Sequence, residues 1–200
     1  MPTTQAVSTP KKIPTSLIYE VMDGQPLYYK GYQLVLKKQK TLADIMGSSK
    51  LQFVIISYLL KLLFQKLEDD AYYVGTNEVG LHLGLRDNLS SDIVIFDKQC
   101  LINDKIEDKY ATVAPRIVIE VDTKADLSTS DKLLNYTMRK TQKLLDFGVE
   151  RVIWIFTQDQ RILVADKQQP DNWNLVSWNQ DIHILNGISF NIDAYLKKQI

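Results

Sequence analysis

The stretch Ser91–Asp122, SDIVIFDKQCLINDKIEDKYATVAPRIVIEVD, decides the fold. It holds two short apolar runs, Ile93-Val94-Ile95-Phe96 and Ile117-Val118-Ile119, separated by a polar connection with little helix signal. β-Branched and aromatic runs of this length read as strands, and such a connection predicts that the two pair antiparallel. The start of the first then lies beside the end of the second, so Asp92 and Glu120 meet at one edge of a sheet. Side chains two apart share a face, which sets Asp122 on the side of Glu120 with Val118 beneath them. Three acids at one edge repel unless a cation neutralises them, and oxygen donors of this kind suit magnesium or manganese, which keep several waters. Acids at strand ends are also ordinary solvated turn residues, and spacing alone does not separate the two readings. Asp97, Asp104 and Asp108, in the connection, read as surface charges.

Upstream, a helical pattern begins near Thr41. Ser48 or Ser49 caps a helix in which Val54, Ile55, Tyr58, Leu59, Leu62 and Leu63 recur at steps of three and four. The segment Gly47-Ser48-Ser49-Lys50 lacks the preceding strand and glycine spacing of a phosphate loop and reads as that cap. Leu17–Gln39 reads as short strands and turns, and Ala71–Leu85 as a strand bent near Gly75–Gly80. Downstream, Ser128 followed by Asp131 is a capping pattern for a helix that runs to Phe147, with Gly148 as its stop. The unbroken run Val152–Phe156 suits a central strand covered on both faces. Short strands follow at Ile162–Ala165, Leu175–Trp178 and Ile182–Leu185, then a last turn at Ile192–Leu196.

The predicted class is therefore α/β, with an αβββαβ core, a mixed sheet flanked by helices, and extra strands at both ends. Residues 1–15, rich in threonine and proline, form an expected flexible tail, and residues 16–200 one domain.

Along the second long helix, Lys132, Tyr136, Lys140 and Lys143 form one polar stripe, while Leu134, Met138, Leu144 and Leu145 belong to a more apolar side. The stripe is either a solvated lysine face or, if the helix packs over the carboxylate edge, a device that places the Lys140 ammonium near a phosphate.

Composition narrows the classes. Lysine plus arginine and aspartate plus glutamate each total 24, so no global basic field announces nucleic acid, although a local patch remains open. The single cysteine, Cys100, excludes an intramolecular disulfide and a cysteine-built zinc site. Leu51–Phe64 is interrupted by Lys61 and too short to cross a bilayer, and no charged region leads into an apolar one at the N-terminus. The expectation is a cytoplasmic protein with no membrane partner. His82 and His183 lack companion ligands and read as structural, and Trp173 and Trp178 read either as cover for the core or as faces on which bases stack.

The ordered elements carry a resemblance: Asp92 leading its strand, Glu120 near the end of the next, a helix bearing Lys140, then Phe147-Gly148-Val149-Glu150 and Val152-Ile153-Trp154-Ile155. The chain resembles the PD-(D/E)XK nuclease superfamily and, within it, the Uma-two group of bacterial restriction-endonuclease-like proteins, over roughly residues 17–197. The resemblance implies a magnesium- or manganese-dependent endonuclease that hydrolyses DNA phosphodiester bonds. Asp92, Glu120 and the Val121 carbonyl would be the metal ligands, and Asp92, Glu120, Asp122 and Lys140 the candidate catalytic residues. DNA and a second copy of the chain are the partners it implies.

Two departures stand against the pattern. Ser91 replaces the proline before the aspartate, and Asp122 replaces the lysine two residues after the glutamate. Lys140 matches the helical lysine of the Uma-two pattern, with Lys124 as its competitor, and Glu78 is the candidate substitute for an acid that some relatives carry in the first helix. The alternative reading is a catalytically inactive nuclease-fold domain that binds DNA or a protein partner.

Overall fold

The computed structural model describes residues 13–127 and 130–199. Residues 1–12 of the expected tail over 1–15 and the Ser128 cap lie outside them, while Thr15 already begins a 3-10 turn, Thr15–Leu17. The elements are β1 (Ile18–Met22), β2 (Gln25–Tyr28), α1 (Tyr32–Leu36), α2 (Ala43–Met46), α3 (Lys50–Lys66), β3 (Tyr72–Gly84), β4 (Asp87–Asp97), α4 (Lys98–Asn103), β5 (Ile117–Val121) and α5 (Ser130–Phe147). There follow β6 (Arg151–Phe156), β7 (Arg161–Asp166), β8 (Asn174–Ser177), β9 (Ile182–Leu185), β10 (Ile188–Phe190) and α6 (Ile192–Leu196).

Eight strands form one sheet in the order β2-β1-β4-β5-β6-β7-β8, with β3 paired to β4 and the β9–β10 hairpin separate. β5 and β6 run parallel, and the other strand pairs run antiparallel. The order α3-β3-β4-β5-α5-β6 is the expected αβββαβ core, in a mixed sheet flanked by helices.

Strand alternation divides the core in two. Ile93, Ile95, Ile117, Ile119, Ile153 and Ile155 face α3, whose Ile55, Leu59 and Leu63 recur every fourth residue and are fully buried. Val94, Val118, Val152 and Trp154 face the other way, against Leu144 and Leu145 of α5. Each such aliphatic side chain stabilises the fold by about 1.5–3 kcal/mol. A sheet sandwiched in this way explains the unbroken apolar run of β6.

Local signals fix the ends of both long helices. The Ser49 hydroxyl accepts the Gln52 amide at 3.1 Å and caps α3. Gly148, at φ 130°, ends α5; a Cβ there would come within 3.0 Å of the Ala114 side chain, so a left-handed backbone and a close approach both require glycine. Buried Val149 then turns the chain into β6.

Three short elements differ from expectation. The polar connection after β4 contains α4, the stretch read as strands and turns contains α1, and β9 turns back into β10. Elements of three to six residues carry too little periodicity to stand out.

Candidate active site

β4 and β5 position the two acids. Their register pairs Ile93 with Ile119, Val94 with Val118 and Ile95 with Ile117. One residue further along, Asp92 stands opposite Glu120. The Asp92 carboxylate accepts the Val121 amide at 2.8 Å, which ties it to the end of β5. Burial raises the Asp92 pKa, opposed by that amide and by Lys140 and Lys124. Glu120 is 1% exposed, and its pKa is pushed up to about 8, first by burial and then by Asp92 and Glu20, against the pull of Lys140.

Behind this pair lies a buried ionic cluster. The Lys140 ammonium donates to Glu20 Oε1 at 2.6 Å, to the Ser90 carbonyl at 2.6 Å and to the Tyr136 hydroxyl at 3.3 Å. Those bonds use its three protons. Glu120 Oε1, 3.0 Å away, pairs with the same ammonium, and no other group among the described residues donates to it. Burial alone would lower the lysine, yet Glu120 and Glu20 hold it above the ordinary lysine range. Glu20 is fastened further by the Tyr136 hydroxyl at 2.7 Å and the Ser90 amide at 3.0 Å. The rings of Tyr19, Tyr136 and Trp154 lie 5.6–5.9 Å from the ammonium and add cation–π attraction.

This cluster corrects the expected faces of α5. Tyr136, Thr137, Lys140, Thr141, Leu144 and Leu145 are buried, whereas Leu134 and Met138 are exposed. A lysine whose every proton has an acceptor can be buried, and its stem then packs as an apolar chain. Lys143 left the stripe for Asp23 and Asp87, at 2.7 and 3.0 Å.

The same sheet edge opens to solvent in a cleft of about 260 Å³ lined by Asp92, Glu78, Lys124, Thr76, Ser48 and Phe53, among others. On β3 the register with β4 shifts between Thr76 and Val79, and the residues between them, Asn77 and Glu78, have φ of 74° and 57°. Left-handed backbone at non-glycine residues costs of the order of 1–3 kcal/mol each and clusters at functional sites. Here it delivers Glu78 to Lys124 at 2.5 Å and to the Tyr29 hydroxyl at 3.2 Å. The Thr76 hydroxyl donates to the Asp92 carbonyl at 2.8 Å and braces the acid from the same bulge.

Asp122 does not project beside Glu120 as the alternation predicts. β5 ends at Val121, Asp122 adopts φ 59°, and its carboxylate accepts the Thr157 amide at 2.8 Å and hydroxyl at 2.6 Å. It ties the ends of β5 and β6 together instead of forming a third acid at the edge. The Val121 carbonyl accepts the buried Gln52 amide at 2.7 Å and retains one lone pair. Gln52 thus ties α3 to the end of β5.

His82 is engaged by Asn88 at 2.6 Å, and His183 by Arg151 at 2.6 Å, as structural histidines are. Trp178 is buried in the core facing α3, and Trp173 packs against the opposite cluster.

The side chains at the edge can be tested against the needs of a hard divalent ion, which takes oxygen donors. Asp92 and Glu120, both with raised pKa, and the Val121 carbonyl offer oxygen donors of the kind such an ion takes, although Glu120 Oε1 is already paired with Lys140. Among the described residues no group of three or more histidine, cysteine, aspartate or glutamate side chains could hold a metal ion. No helix among the described residues is long and apolar enough to cross a membrane.

No family model matches the chain, and no curated protein matches it in sequence. Among solved structures it is similar to one described as a "putative nuclease belonging to DUF820" from Anabaena variabilis ATCC 29413, at TM-score 0.60 and 13% identity, over 90% of each chain. At that identity the shared property is the fold, and the chain has the fold of that nuclease-like structure.

Proposed function

We propose that the chain is a magnesium- or manganese-dependent endonuclease acting on DNA phosphodiester bonds. The observation that carries this reading is the opposition of Asp92 and Glu120 across β4 and β5, with Glu120 Oε1 paired to the Lys140 ammonium at 3.0 Å. Asp92, Glu120 and the Val121 carbonyl would hold the ion, which when bound supplies Lewis-acid polarisation of a phosphodiester.

The chain's own groups divide the remaining work. Lys140 has no exposed surface, so it positions Glu120 and does not reach a substrate. Lys124 lines the open cleft and is the cation available to a phosphate oxygen, held ready by Glu78. Gln52 and Thr76 fix the backbone around the acids.

Calorimetric titration with manganese, paired with nicking of supercoiled plasmid, tests this. Wild type is expected to bind the ion and nick only with a divalent metal. Asp92→Ala is expected to lose about a hundredfold or more in rate, a loss of about 2.7 kcal/mol of transition-state stabilisation. Absence of binding heat together with absence of nicking overturns the assignment.

A second reading, a catalytically silent nuclease fold that binds DNA or a protein, is favoured by Asp122, which replaces the lysine of Glu-x-Lys and is consumed by Thr157. Under it, DNA affinity survives Asp92→Ala and Glu120→Ala unchanged and no metal elicits turnover.

A further inference from the structure

The neutral total charge conceals a lopsided distribution. From Gly24 to Ala43 there is no acidic residue, while Lys30, Lys37, Lys38 and Lys40 fall within that stretch and Lys50 follows at the start of α3. All five are exposed. Among the described residues none of the five enters an ion pair; other exposed lysines such as Lys105, Lys167 and Lys198 enter none either, but they do not cluster in one run of sequence. Cations left without counter-charges on one segment are available to an outside polyanion.

The fold fastens this segment to the open cleft at both ends. The Lys30 amide donates to the carbonyl of Lys124, itself a cleft residue, at 2.6 Å. Beside it Tyr29 bridges to Ala125, and the Asp126 amide donates to the Tyr28 carbonyl at 2.8 Å. Next to Lys30, Gly31 at φ 87° lies so close to Ile45 that a Cβ would stand 3.3 Å from its side chain, so the start of α1 meets α2. At the far end Ser48 lines the cleft again, two residues before Lys50. The basic segment therefore leaves the cleft wall at Lys30 and returns to it at Ser48.

We propose that Lys30, Lys37, Lys38, Lys40 and Lys50 form the track on which the phosphate backbone of duplex DNA lies as it enters the Asp92 cleft. The proposal rests on the nuclease-fold reading for the identity of the polyanion, and it assigns binding rather than chemistry. Each phosphate neutralised by a lysine releases counterions, so the number of contacts is read directly from the salt dependence of affinity, at about 0.9 per contact in the log–log slope.

The test measures duplex affinity of the full chain by fluorescence anisotropy in calcium, so that binding is observed without turnover, from 50 to 250 mM salt. Lys37→Gln/Lys38→Gln/Lys40→Gln is expected to bind at least about tenfold more weakly and to lower the slope by about 2 to 3 units. The control Lys105→Gln/Lys167→Gln/Lys198→Gln removes three exposed lysines elsewhere and is expected to bind as wild type does. Circular-dichroism melts establish that both variants are folded. Equal affinity and slope in wild type and the first variant overturn the proposal, as does an equal loss in the control. Binding of an RNA hairpin or of anionic phosphatidylserine vesicles in place of the duplex also overturns it. The catalytic reading fails separately: the expected binding changes without nicking under any divalent metal sink the endonuclease assignment and leave the track standing.

Discussion

The molecule builds the same trio, two carboxylates and one lysine, twice. In the buried version Lys140 lies between Glu20 and Glu120, all three essentially without exposure. In the open version Lys124 meets Glu78 beside Asp92 in a cleft that solvent enters. The difference teaches how environment sorts similar residues. Inside, every proton of the ammonium is committed and the charges serve position; at the cleft, the lysine keeps a route to whatever binds. A lysine that cannot be reached and one that can are distinguished by packing, since both follow Glu120 in sequence.

The contrast is broken most severely by removing the buried cation. Lys140→Met leaves Glu20 and Glu120 facing one another without compensation, and uncompensated buried charge costs about 3–5 kcal/mol, read by urea unfolding. A loss under 1 kcal/mol would place the cluster closer to solvent than its geometry implies.

Next is the pH response. The folded-state pKa of Glu120, about 8, lies above its unfolded value of 4.5, so the fold favours the protonated acid. Its contribution is fully present below pH 4.5 and is lost as pH rises toward 8, so metal-free wild type is expected to melt at progressively lower temperature across that window. Glu120→Gln, neutral at every pH, should flatten this slope. Adding manganese should reverse the trend in wild type only, because the ion binds the deprotonated form; at a hundred times its Kd it contributes about 2.7 kcal/mol.

The smallest effect is at the open trio. The Lys124–Glu78 pair is partly exposed, and Lys124→Gln should change stability by about 1 kcal/mol or less while it lowers nicking by more than its melting shift accounts for. Rescue of nicking by Lys124→Arg, but not by Gln, would sharpen the assignment to charge at that place.

Much of the frame was legible from residues 91–122, because period-two alternation and strand length are local signals. The same holds for Ser49 and Gly148, whose roles are set within a few positions. The site was less legible, for reasons that separate residue by residue. Glu20 escaped notice because its partners Lys140 and Ser90 are distant in sequence; the available signal was an acid in a strand between apolar Ile18 and Met22, two positions away on either side. Lys140 was recognised, but its complete burial depends on Glu20 and so was hidden with it. Asp122 was misplaced because alternation was extended one residue past the end of β5, into a left-handed turn. Gln52 was concealed by chemistry, since an amide in a helix carries no marker until the carbonyl it meets is known.

The ladder of contacts from Glu20 to Lys140 spans 120 positions. During synthesis at about 5–20 residues per second, β1 therefore leaves the ribosome roughly 6–24 s before the helix that will neutralise its acid. For the first part of that interval, until Asn88 of β4 emerges to pair with Val21, the hairpin of β1 and β2 carries an edge with no neighbour, a template for wrong pairing that the nascent chain must keep hydrated.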